Sequence, residues 1–74
     1  MTLNEIYRVQ EYLRRTFANE NISVVPPDRP NGPVEVHISG EFIGTLHRDE
    51  DEGEVSYDLN IAILSEDLPA AASM

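Results

Sequence analysis

The sequence predicts a two-layer α+β domain, with one amino-terminal helix packed on an antiparallel sheet of three to four strands. Apolar residues near the amino terminus, Ile6, Val9, Leu13 and Phe17, recur at steps of three and four, the period of a helix with one buried face. From Val34 onward the period drops to two, as in Val34-Glu35-Val36-His37-Ile38 and in Val55 to Leu64, the mark of strands with one buried face. A helix and a sheet that each carry one apolar side bury them against each other.

Thr2-Leu3-Asn4-Glu5 has the spacing of a capping box, with Met1 and Ile6 placed to form a hydrophobic staple. The helix is expected over residues 3–18, with Glu11 four residues before Arg15 in the favourable order for an ion pair. Asn19 and Asn21 supply its stop, because Asn tolerates left-handed backbone. A short β-branched strand, Ile22-Ser23-Val24-Val25, ends at Pro26-Pro27. The stretch Pro26 to Pro33 then reads as an exposed connector, whose prolines fit a loop better than a ligand for an SH3-type groove. Val34–Ile38 is the second strand, Ser39-Gly40-Glu41 turns the chain, and Phe42–His47 returns. A two-residue Gly40-Glu41 turn sets Ile43 opposite Ile38, whereas a three-residue turn sets Phe42 there and brings Leu46 to the same face. Gly44 marks a bulge or a close backbone approach. Arg48 to Gly53 reads as an acidic turn, and Val55–Leu64 as the last strand. Residues 1–66 form one domain and 67–74 a flexible carboxyl-terminal tail.

Composition narrows the function classes. A chain of 74 residues is one domain, and at this size it hides only about 60% of its unfolded surface, so extra burial in an oligomer would help. The absence of cysteine removes disulfides, thiolate metal sites and thiol nucleophiles. The net charge is −9, with five arginines and no lysine, the wrong sign for nucleic acid and for anionic membranes. A basic protein partner stays compatible with that charge, which also serves solubility. No secretory signal and no apolar run of membrane-spanning length is visible, so the cytoplasm is the expected location.

A lone helix cannot cover both faces of the sheet. The uncovered side is expected to inherit either Phe42 and Leu46 or Ile43, joined by Ala62, Leu64 and Val25. Val55–Leu64 is long for an edge strand, with no proline or lysine and Asp58 as its only charge, so something is expected to pair with it. The first short strand of the same chain leads, followed by a second copy and then a different partner. Phe42, Leu46, Asp58, Ala62 and Leu64 are therefore the candidate interaction residues of a non-enzymatic, self-associating protein module.

Other chemistry is thinly supported. The acidic run Asp49-Glu50-Asp51-Glu52-Gly53-Glu54 suggests divalent-ion ligands, with Asp49, Asp51 and Glu54 as the candidates. It departs from a calcium loop in its glycine position and in having Asn60 where that loop needs a carboxylate. His37 and His47 fall two ligands short of a structural zinc site and are more simply half-exposed strand residues. No serine has a nucleophile's setting, the four glycines are scattered, and no cofactor is expected.

The run Gly40-Glu41-Phe42-Ile43-Gly44 through Arg48-Asp49-Glu50-Asp51-Glu52-Gly53-Glu54, with Ser56-Tyr57 and Ala62-Ile63-Leu64, resembles a small family of uncharacterised alphaproteobacterial proteins. Tyr12-Leu13-Arg14 and Phe17 are similar as well, and the likeness spans about residues 3–68. It implies a compact domain and carries no assigned site.

Overall fold

A computed structural model describes residues 1–71; residues 72–74 of the expected tail lie outside the described residues. The order is α1 (Leu3–Thr16), β1 (Ile22–Val25), β2 (Val34–Ile38), β3 (Glu41–Asp51) and β4 (Glu54–Ile61), then a single 3₁₀ turn at Ser65–Asp67. The four strands form one antiparallel meander in the order β1-β2-β3-β4, and the α+β expectation holds.

The capping box forms as the sequence requires: Thr2 Oγ1 accepts from the Glu5 amide at 3.1 Å, and Glu5 Oε1 accepts from the Thr2 amide at 2.9 Å. The helix stops at Thr16, two residues before the expected end, and it is Ala18 at φ 51°, not an Asn, that takes the left-handed position. Asn19 N–H donates to Arg14 C=O and Ala18 N–H to Arg15 C=O, which closes a Schellman turn. Phe17, expected on the buried stripe, falls at the cap and is exposed. Glu11 meets Arg14 at 3.7 Å, not the expected Arg15.

Ile6 and Leu13 of the helix meet Ile22, Val24, Val34, Val36 and Leu46 of the sheet in the core, with Val36 at 0% exposure. The helix lies over the β1 side of the sheet. Its own polar side chains cover that edge: Gln10 Oε1 accepts from the Val24 amide at 3.1 Å, and Arg14 Nε donates to Ile22 C=O at 2.8 Å.

Three sequence expectations are corrected by the strand pairing. The β2–β3 turn is Ser39-Gly40, both at positive φ (52° and 81°), a type I′ turn that leaves Glu41 opposite Ile38. A bulge then inserts Ile43 between the pairs His37–Phe42 and Val36–Gly44, so neither expected register applies. Leu46 consequently sits opposite Val34 under the helix at 4% exposure, in the core and not on the uncovered face. Second, β1 pairs with β2 and not with the last strand, which is a true edge. Third, β3 runs on through Asp51 and the turn is only Glu52-Gly53, so the acidic residues Asp49–Asp51 are strand. The last strand ends at Ile61, three residues short of the expected Leu64.

Candidate functional site

The pairing sorts every side chain to a face. On the side away from the helix lie Ser23, Val25, Glu35, His37, Phe42, Thr45, His47, Asp49, Asp51, Glu54, Ser56, Asp58 and Asn60. This face is polar, contrary to the apolar surface expected there. The bulge is the cause: it sends Leu46 inward and leaves Phe42 and Val25 as the face's large apolar groups. Phe42 stands edge-on to His37 with ring centroids 5.8 Å apart, and His37 Nε2 contacts Glu35 Oε1 at 2.9 Å. His47 contacts Thr45 Oγ1 at 3.1 Å on its own strand, so the two histidines do not converge. Asp49, Asp51 and Glu54 share the outer face at the hairpin tip. Among the described residues no group of three or more His, Asp or Glu is placed to hold a metal ion.

The apolar surface lies instead beside the helix. Because α1 sits toward β1, the inner faces of β3 and β4 are only half covered. Val9, Tyr12, Leu13, Leu46, Tyr57 and Leu59 line an open trough of about 440 Å³. A second hollow of about 240 Å³, lined by Phe17, Ile38, Ile43 and Ile61, shares Leu13 and Leu59 with it. The two form one mainly apolar strip between helix and edge strand, interrupted by the charged Glu5 and Arg8 and by Asn19.

At one end of the strip, Glu5 joins helix to hairpin. Its Oε2 accepts from Arg48 Nε at 2.9 Å and from the Tyr57 hydroxyl, while Arg48 also donates to Glu50 at 2.9 Å. The Thr2 backbone N–H, then Tyr57 and Arg48, pull the Glu5 carboxyl down from 4.5 to about 2. Glu5 in turn raises the Tyr57 phenol, and Glu50 followed by Glu5 raises Arg48. None of this was readable from the sequence beyond the cap role of Glu5. The link needs the β3–β4 register, which sets Arg48 opposite Tyr57.

Among the described residues the outer edge of β4 pairs with no further strand. The Glu52-Gly53 turn has both residues at positive φ, so Asp51 and Glu54 form its hydrogen-bonded closing pair. Hydrogen-bonded and non-bonded pairs then alternate along the hairpin. Ser56, Asp58 and Asn60 therefore direct their backbone groups to β3, while Val55, Tyr57, Leu59 and Ile61 direct theirs outward. Those same four residues point their side chains to the trough side. Of the expected interaction residues, Asp58 is exposed on the outer face opposite His47, and Ala62 and Leu64 are exposed beyond the strand end.

Fold and site together define a class: a small meander sheet under one helix, with one edge capped by helix side chains and the other unpaired among the described residues. Within that class the chain belongs to the family described as protein of unknown function DUF3126, whose profile matches residues 5–67. Comparison with curated proteins and with solved structures gives no match. Among the described residues no helix is long and apolar enough to cross a membrane.

Proposed function

We propose that the chain is a protein-interaction module that works as a homodimer, joined along the bare edge of β4 and the apolar trough beside it. One observation carries this: unpaired backbone groups and trough-side apolar side chains belong to the same residues, Val55, Tyr57, Leu59 and Ile61. An edge without proline, lysine or bulge, flanked by apolar side chains, is a template for another strand. The opposite edge supports the contrast, since it is short, ended by Pro26-Pro27, and occupied by Gln10 and Arg14.

Surface area supports a second copy as the occupant. The chain exposes 6122 Å², whereas a compact monomer of 8.3 kDa exposes about 4,600 Å². Its radius of gyration is 14.6 Å against about 11 Å for a compact domain of this length. The projecting hairpin and the segment 62–71 both contribute to an excess of about 1,500 Å² per chain, within the range that obligate dimers bury. The role is one of binding: the carboxylate in the trough lining, Glu5, is already engaged by Thr2, Arg48 and Tyr57.

Light scattering across the micromolar range tests this. A mass of twice 8.3 kDa is expected, and Ile61→Glu, at a site 46% exposed, should return the monomer with an unchanged circular dichroism spectrum. A wild-type monomer at every concentration would refute it.

A further inference from the structure

Resting on the homodimer reading, we infer that two copies of β4 pair antiparallel about a two-fold axis midway between Leu59 and its copy, joining both sheets into one. The axis stands perpendicular to the sheet, as antiparallel pairing of a strand with its own copy demands, so both helices lie on the same side. Leu59 directs its backbone groups outward, so Leu59 and its copy form a hydrogen-bonded pair at the centre.

The register follows from what each choice places opposite what. Centred on Leu59, Tyr57 meets Ile61 of the second copy and Val55 meets Ile63, an unbroken apolar ladder on the trough side with aromatic against β-branched contacts. On the outer side Asp58 meets Asn60, Ser56 meets Ala62 and Glu54 meets Leu64, with no like charges opposed. Centred on Asp58, the two Asp58 carboxylates stand directly opposite each other, which is unfavourable. Centred on Asn60, Val55 falls opposite Ser65 and loses its apolar partner.

The Leu59 register also accounts for a mismatch between sequence and fold. The alternating pattern runs to Leu64, but pairing with β3 stops at Ile61, where the bulge at Ile43 breaks the ladder. Ala62-Ile63-Leu64 is left unpaired with β3 and exposed, with Ile63 at 71% and Leu64 in extended backbone. In the dimer these residues continue β4 against Glu54, Val55 and Ser56 of the second copy. Pairing ends there, because the next step reaches Gly53 of the turn against Ser65, and the step after it sets Glu52 toward Glu66 of that copy.

Cysteine trapping decides the register, in a chain that has no cysteine of its own. Ser56→Cys and Ala62→Cys are on the outer side or beyond the strand end, both exposed, and both leave Asp58 in place. Mixed in equal amounts under a glutathione redox buffer, they should give a disulfide-linked species, because directly opposed residues fall within the Cα span a disulfide allows. Each variant alone should give none, since its own copies stand several residues apart. Cross-linking of Ser56→Cys with Asn60→Cys, or of Asp58→Cys with Ala62→Cys, in place of that pair overturns the Leu59 register. A dimer by light scattering that none of these pairs can trap overturns edge pairing itself while leaving self-association standing. A wild-type monomer removes the reading on which the inference rests.

Discussion

Gly44→Ala sets two effects of opposite sign against each other, and the geometry says which wins. Gly44 lies in β3 opposite Ile61, and a Cβ built there would stand 2.3 Å from the Asn60 carbonyl oxygen and 3.1 Å from its carbon. Both are backbone atoms of the neighbouring strand, so no side chain can turn aside. Reaching ordinary carbon–oxygen contact requires β4 to move away by about 1 Å. The pair next to it, Thr45–Asn60, is hydrogen-bonded in the alternation set by the Glu52-Gly53 turn. Weakening its two bonds costs about 1 to 3 kcal/mol, and local distortion adds about 1 kcal/mol or more. Against this, removing a glycine restricts the unfolded chain and stabilises by about 0.4 to 1 kcal/mol. The expected balance is a loss of about 2 kcal/mol, or a fall in melting temperature of about 10 °C for a domain of this size. Urea denaturation at fixed chain concentration measures it, since a dimer's stability depends on concentration. A Gly44→Ala midpoint equal to or above wild type would show that β3 and β4 are not held this close, and would remove the straight β4 edge on which the proposed dimer depends.

Other substitutions probe the remaining parts of the fold. Glu5→Gln should flatten the acid dependence of stability. The folded Glu5 titrates near 2 and the free carboxyl near 4.5, so its contribution is complete above 4.5 and is lost as pH falls from there toward 2. Acid titration followed by circular dichroism checks this, and equal slopes for both chains in that window would contradict it. Ala18→Gly should stabilise by about 1 kcal/mol in thermal melts, because Ala18 holds φ 51° at the end of α1. Val36→Ala empties the most buried side-chain site and should cost about 2 kcal/mol in urea denaturation.

The layout of elements was legible because each rests on a local rule. Thr2 and Glu5 cap the helix through contacts three residues apart, and alternation over Val34–Ile38 and from Val55 marks two strands whatever their partners. The faces were not legible, because they hang on one inserted residue. With Ser39 in left-handed backbone the turn falls one residue earlier than the Gly40-Glu41 pattern suggests, and Ile43 then bulges to restore the inward direction of Gly44 and Leu46. Local preference disfavours Ser39 and favours Gly40 at positive φ, so the sequence alone places this turn one residue late. The site moved with it. Phe42 and Leu46 were expected to share the uncovered face, but they point to opposite sides of the sheet. Val9 reads as part of the buried stripe and Tyr12 has no face assigned by the pattern, and the position of the helix toward β1 leaves both as one wall of the trough. The edge position of the last strand was open in the sequence, because no local signal distinguishes a neighbour β1 from a neighbour β3.

Salt dependence separates self-association from the other partner compatible with this composition, a basic protein. Each chain carries a net charge of −9, so two copies repel each other, whereas a basic partner is attracted. Half of the fourteen carboxylates lie on the outer face or at the hairpin tip, and Val55, Tyr57, Leu59 and Ile61 on the trough side are uncharged. Local contact across β4 is therefore apolar on the trough side and opposes no like charges on the outer side, and the opposing term is long-range. At about 10 mM ionic strength the screening length is about 30 Å, comparable with the 27 Å and 25 Å shorter dimensions of the chain, so nearly every charge is felt. At about 150 mM it falls to about 8 Å, and most of the repulsion is removed while the apolar contacts are unaffected. The homodimer should tighten between these conditions, with the fall in dissociation constant residing mainly in faster association. A complex with a basic partner should weaken over the same range. Sedimentation velocity at the two ionic strengths reads the difference directly, and a homodimer that loosens as salt rises would mean that its contacts are ionic, not the apolar edge and trough of β4.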